Sequence, residues 1–152
     1  MKPQRKSLPH EPPHWLDPAG ETWFVTLSCS ARGKNQLAES GAWNVILQAF
    51  LKYGELGFWQ PRLIVAMPDY LHALVGFPDS FFLKKRMASF KAWTSKHAGI
   101  SWQRDFFDHR LRSLEEGVEK RAYIELNPVR AGLCDTVEEW PYRWSFGEKA
   151  KE

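Results

Sequence analysis

The sequence predicts an α+β sandwich of the ferredoxin-like kind, one antiparallel sheet with helices packed on one face. Three observations predict it. Segments of period two and of period 3.6 alternate in the order strand, helix, strand, strand, helix, strand, helix. The second and third strands are separated only by Pro68-Asp69, a turn short enough to make them an antiparallel hairpin. The 152 residues, 43% hydrophobic and 26% charged, have the size and balance of one globular domain that buries its own core.

Residues 1–20 hold Pro3, Pro9, Pro12, Pro13 and Pro18 beside Lys2, Arg5 and Lys6, and read as an extended basic arm. The prolines and Glu11 fall where a signal peptide needs an apolar stretch, so no secretory signal is expected. The domain proper is expected over 21–146, with a polar tail over 147–152. Thr22 to Cys29 is β-branched and aromatic and partly alternating, hence a strand. From Ala38 to Leu56, Trp43, Ile46, Leu47, Phe50 and Leu51 keep helical spacing, and Gly54 and Gly57 mark the end. Pro61 to Met67 and Tyr70 to Phe77 are the hairpin strands. Asp79 or Ser80 is the expected cap of a helix reaching about Lys96, with Phe82, Leu83, Met87, Phe90 and Trp93 or Thr94 inward. A strand is expected from Phe107 to Leu111. A last helix runs from Leu114 and stops at Asn127-Pro128, because the residue before a proline avoids helical geometry.

Charge is uneven along the chain. The net charge is +3, but residues 84–112 carry Lys84, Lys85, Arg86, Lys91, Lys96, Arg104, Arg110 and Arg112 against only Asp105 and Asp108. Trp93, Trp102, Phe106 and Phe107 lie among those charges. Basic groups interleaved with rings suit a polyanion with exposed bases, and equally a solvated face laced with salt bridges. Cys29 and Cys134 match no metal spacing and give no framework of bridges, which fits a reducing cytoplasm. No apolar run is long enough for a membrane span.

Two pairs of residues bring chemistry into view. Tyr70 and His72, two apart on a strand, project from one sheet face; His72 is there a metal ligand or a satisfied strand histidine. Tyr123 and Asn127, four apart, share a helix face; they are an acting pair, or a core aromatic and a helix-ending turn former. Arg110 and Arg112, alternate on a strand, offer guanidiniums to phosphates or simply decorate an edge. No glycine-rich phosphate loop, nucleophile elbow or His-Glu-x-x-His motif occurs.

Taken together, the blocks Met67-Pro68-Asp69-Tyr70-Leu71-His72, Trp102 to Arg112 and Tyr123-Ile124-Glu125-Leu126-Asn127-Pro128-Val129-Arg130-Ala131-Gly132-Leu133, with the ending Trp140 to Ser145, resemble the REP-associated tyrosine transposases. These are a branch of the single-tyrosine transposases within the HUH-type nucleases, and the resemblance spans roughly Trp23 to Trp144. It implies a cytoplasmic enzyme that cuts and rejoins single-stranded, hairpin-bearing DNA, with a monomer preferred to a homodimer. It implies Tyr123 as the nucleophile of a 5′-phosphotyrosine intermediate, and Mg²⁺ or Mn²⁺ held by His72, Asn127 and the position of Tyr70. Lys84, Lys85, Arg86, Lys91, Arg110, Arg112 and Arg130 are then the expected DNA-binding residues. The family pattern reads Met-Pro-Asn-His-hydrophobic-His; here Asp69 stands for the Asn and Tyr70 for the first His. With that departure the resemblance also implies an alternative, a catalytically impaired DNA-hairpin binding protein.

Overall fold

The protein is described from a computed structural model covering residues 21–77 and 80–147, with the side chains of Ser80 and Phe81 outside the description. The arm over 1–20, the cap expected at Asp79 or Ser80 and the tail beyond Gly147 lie outside the described residues. The elements are β1 (Thr22–Ser28), α1 (Ser40–Glu55), β2 (Gln60–Ala66), β3 (Tyr70–Gly76), α2 (Ser80–Ala98), β4 (Phe107–Arg110), α3 (Leu114–Arg130), a 3-10 turn (Val137–Glu139) and β5 (Arg143–Ser145). The strands lie in the order β4-β1-β3-β2-β5, every neighbouring pair antiparallel. Strand β3 is inserted between β1 and β2, the split βαβ arrangement expected of a ferredoxin-like core.

Alternation along the strands decides what each face of the sheet covers. Val25, Leu27, Ile64, Ala66, Leu71, Ala73 and Val75 form one core with Trp43, Ile46 and Phe50 of α1 and Leu83, Met87 and Phe90 of α2. Helix α1 begins on Glu39, whose carboxylate accepts the Gly41 and Ala42 N–H groups. It passes through Gly54 to Glu55, because a side chain at 54 would meet the Pro61 ring at 2.6 Å; the glycine marks a close approach to β2, not the helix end. On α2 the buried stripe is Leu83, Met87, Phe90 and Thr94, so of Trp93 and Thr94 it is Thr94 that turns inward, while Phe82, expected inward, is about half exposed.

The α+β class and the antiparallel sheet are as expected, but the helices do not all lie on one face. Phe24, Leu63, Val65 and Leu74 point the other way and form a second core with Leu111, Ile124 and Trp140. These strands are apolar on both sides, so the sheet needs two covers, and α3 supplies the second. Helix α3 does not stop at Asn127-Pro128. It runs to Arg130, with the Ala131 N–H on the Asn127 carbonyl, the Leu133 N–H on the Pro128 carbonyl and Gly132 at φ +75° closing the turn. Its start is fixed by Ser113, whose hydroxyl accepts the Glu116 N–H at 3.0 Å. The ending forms the edge strand β5 against β2, and the Trp140 indole donates to the Ala66 carbonyl at 2.9 Å. Among the described residues, no helix is long and apolar enough to cross a membrane.

Candidate active site

Strand β3 and helix α3 bring the two sequence pairs together. The register sets His72 opposite Thr26 on one side and Val65 on the other, so Tyr70, His72 and Thr26 share the sheet face that α3 covers. The His72 and Tyr123 ring centroids are 5.8 Å apart, and the Tyr70 and His72 centroids 5.1 Å. Phe24 lies against His72 at 5.2 Å and edge-on to Tyr123 at 6.5 Å. The Tyr70 hydroxyl donates to Asn127 Oδ1 at 3.2 Å, a bond that fastens β3 to α3 across the site.

Exposure divides these residues by task. His72 is buried at 5% and Asn127 at 9%, whereas Tyr123 is 47% exposed and reachable by a large substrate. Thr26 Oγ1 lies 2.8 Å from His72 Nδ1, which leaves Nε2 as the nitrogen that bond does not use. Burial, then the positive charges of Arg130 and Lys120, push the His72 imidazolium down to a pKa of about 4, so the ring is neutral at pH 7. Burial raises the Tyr70 phenol above its usual value and keeps it a neutral donor.

Two cations flank the nucleophile candidate. The Arg130 guanidinium lies 4.7 Å from the Tyr123 ring centroid and donates to the Tyr123 carbonyl at 2.6 Å. Lys120 Nζ lies 5.9 Å from the same centroid and 5.2 Å from that of Phe24. Lys120, Phe24 and Thr26 belong to this site and escape the sequence reading. The available signal was spacing: 120, 123, 127 and 130 are three, four and three apart, one stripe of a helix.

The other expected DNA-binding residues do not converge here. Lys84, Lys85, Arg86 and Lys91 lie on α2, which covers the opposite face of the sheet. The Arg86 guanidinium stacks on Phe58 at 3.5 Å, and Lys91 donates to the Arg104 carbonyl at 2.7 Å. Lys84, Lys91 and Arg104 line a cavity of about 350 Å³ with Asp105, Phe106 and Asp108. Arg110 is paired with Glu21 at 2.8 Å. Strand β4 ends at Arg110, so Arg112 lies in the link to α3 and not, as expected, two places along a strand; the Leu111 N–H still reaches the Thr22 carbonyl, and the Arg112 N–H is taken by Glu116. Of the expected set, Arg130 alone stands beside Tyr123.

The donors that face the site do not suit a resident Mg²⁺ or Mn²⁺. A neutral phenol stands where the family pattern has imidazole, and its O–H takes one of the two lone pairs of the Asn127 carbonyl oxygen. The remaining Asn127 atom, Nδ2, is buried without a partner and is a donor, of no use to a cation. Asp69, the nearest carboxylate in sequence, is held by the Gly33 N–H at 2.8 Å and Arg32 at 2.9 Å. Among the described residues no cluster of three His, Cys, Asp or Glu fit for a metal occurs. Hard cations prefer several carboxylate, carbonyl and water oxygens.

No family model matches the chain. A REP-associated tyrosine transposase of Escherichia coli (strain K12) is 25% identical over 128 residues, covering 81% of this chain and 75% of that protein. A Haemophilus influenzae protein of the same designation is 27% identical over 141 residues, covering 81% and 78%. Among solved structures, a REP-associated tyrosine transposase bound to a REP hairpin shares the fold, with a TM-score of 0.71 over 94% of this chain and 82% of that one, at 22% identity. A transposase structure from Deinococcus radiodurans gives a TM-score of 0.52 at 14% identity, over 82% of this chain and 96% of that one. This chain is similar in sequence to REP-associated tyrosine transposases and shares the fold of one of them.

Proposed function

We propose that the chain binds hairpin-bearing single-stranded DNA and cuts and rejoins it through Tyr123. The observation that carries this reading is the exposed Tyr123 ring, 5.8 Å from a neutral His72 and stacked under Arg130. A phenol is a weak nucleophile at neutral pH and needs both charge stabilisation at the phosphate and a route for its proton. The Tyr123 oxygen bonds to phosphorus, the P–O3′ bond breaks, and the 3′ oxygen leaves as a hydroxyl. The fragment on the 3′ side of the break stays on the tyrosine through its 5′-phosphate, and reversal of the same step rejoins DNA. The neutral imidazole of His72, oriented by Thr26, is the group on this face suited to take the phenolic proton and return it to the departing 3′ oxygen. The kinship supports the DNA partner, since the relative sharing this fold is bound to a REP hairpin.

The test is a labelled hairpin single strand incubated with the protein and resolved under denaturing conditions. A covalent adduct is expected with the wild type and none with Tyr123→Phe. A second reading, hairpin binding without chemistry, is favoured by the Tyr70–Asn127 hydrogen bond, which occupies the amide oxygen. Tight binding with no adduct, unaltered by Tyr123→Phe, would select that reading.

A further inference from the structure

The stripe that carries Tyr123 is cationic. At 100° per residue, Lys120, Tyr123, Asn127 and Arg130 fall within roughly 80° of the α3 circumference. Lys120 and Arg130 therefore bracket the tyrosine from either end, and both lie within 6 Å of its ring centroid. Among the described residues, neither is within salt-bridge distance of a carboxylate; the nearby acids are spent elsewhere, Glu116 on His109 and Glu125 on Arg121 and Arg143. Glu116, one turn before Lys120, feels its charge without forming a close ion pair with it, so two cations at the mouth of a site repel a third cation and attract an anion.

The donors agree with that sign. The Asn127 carbonyl accepts from Tyr70, and the amide atom left over is an N–H donor. We infer that Lys120 and Arg130 form a two-cation cradle that seats a phosphodiester over Tyr123 without a divalent metal. The inference rests on the proposed role of Tyr123 and identifies what stabilises the charge there. As the Tyr123 oxygen bonds to phosphorus and the 3′ oxygen departs, negative charge accumulates on the two non-bridging oxygens. The guanidinium can take one or both in a fork, and the ammonium can approach as a point charge. No co-reactant is required, because one phosphate ester is exchanged for another.

The cradle is tested by fluorescence anisotropy of a labelled hairpin strand on the full chain, in chelator and in Mn²⁺, across a salt series. The expected result is equal affinity in both buffers. Lys120→Gln and Arg130→Gln should each weaken binding and reduce the logarithmic salt slope by about 0.7, the value per phosphate contact on a single strand. Lys52→Gln, on the other face of the sheet, should leave the slope alone. Mn²⁺ paramagnetic resonance should detect no stoichiometric site in the wild type and one in Tyr70→His, which supplies a second imidazole and frees the Asn127 oxygen. A strand that binds only with Mn²⁺, a stoichiometric Mn²⁺ site in the wild type, or unchanged slopes in both cation variants would overturn the cradle while leaving the DNA function standing. Failure of the wild type to bind the strand in either buffer would instead remove the DNA function itself.

Discussion

His72 couples the site to stability. Its pKa in the fold, about 4, is below the 6.5 of an unfolded chain, so the unfolded state takes up a proton first as the solution is acidified. Stability is therefore flat above pH 6.5 and falls between there and about 4, by about 3 kcal/mol if the whole shift is expressed. Burial works to raise Asp69, but Gly33 and Arg32 outweigh it and hold the carboxyl below its usual value; the Arg112 N–H and His109 do the same for Glu116. Urea denaturation at stepped pH should show the loss beginning near 6.5, and His72→Gln should flatten it. A wild-type curve that stays level to pH 5 would contradict this. Tyr70 and Asn127 form the second residue-scale link. Tyr70→Phe removes the donor and leaves a buried amide unpaired, costing about 1–2 kcal/mol in the same measurement. Much of this was legible in the sequence: strand alternation put Tyr70 and His72 on one face, and helical spacing paired Tyr123 with Asn127. Lys120 was missed although its spacing puts it on the Tyr123 stripe, because a lysine on a helix face reads as solvated until the sheet beneath it is known.

At the scale of elements, α3 is the part whose position sets the chemistry, and its start is specified locally. Ser113 accepts the Glu116 N–H, and the Glu116 carboxylate returns to the Arg112 N–H at 2.8 Å and to His109 at 2.7 Å. Ser113→Ala should lower stability by about 1 kcal/mol, read as a shifted denaturation midpoint; an unchanged midpoint would show that packing of Ile124 and Gly117 holds the helix start without the cap. The far end was harder to read. Asn127-Pro128 is a stop signal by local rule, yet Pro128 is buried, Asn127 is held by Tyr70, and Gly132 supplies the closing turn. A tertiary contact outweighed a local preference. Strand β5 was illegible for a different reason: three residues after Pro141 carry no periodicity, and only pairing with Leu63, Ile64 and Val65 makes Arg143–Ser145 a strand.

Across the whole molecule, β5 joins the two faces of the sheet. Its Arg143 reaches α3 and donates to Glu125 at 2.6 Å, while Arg121 meets the other carboxylate oxygen at 3.0 Å and donates to Ser145 at 2.6 Å. In the same strand Trp144 packs edge-on to Phe50 of α1 on the opposite face. The C-terminal segment thus fastens the tyrosine helix to the sheet and the sheet to its other cover. Glu125 is the common partner, and the three side chains are only 17%, 19% and 9% exposed, so removing the carboxylate takes away the counter-charge that two half-buried guanidiniums share. Surface ion pairs contribute little, but stripping one partner from a buried network costs about 3 kcal/mol or more. Glu125→Ala should therefore destabilise the chain by roughly that amount. Adding Arg143→Ala to it should cost less than the two single losses combined, because both changes remove the same Arg143–Glu125 interaction. Chemical denaturation of the two single variants and the double variant measures both quantities. Strict additivity, or a Glu125→Ala loss below about 1 kcal/mol, would mean that water reaches the network and that β5 holds α3 through Trp140 and backbone pairing alone.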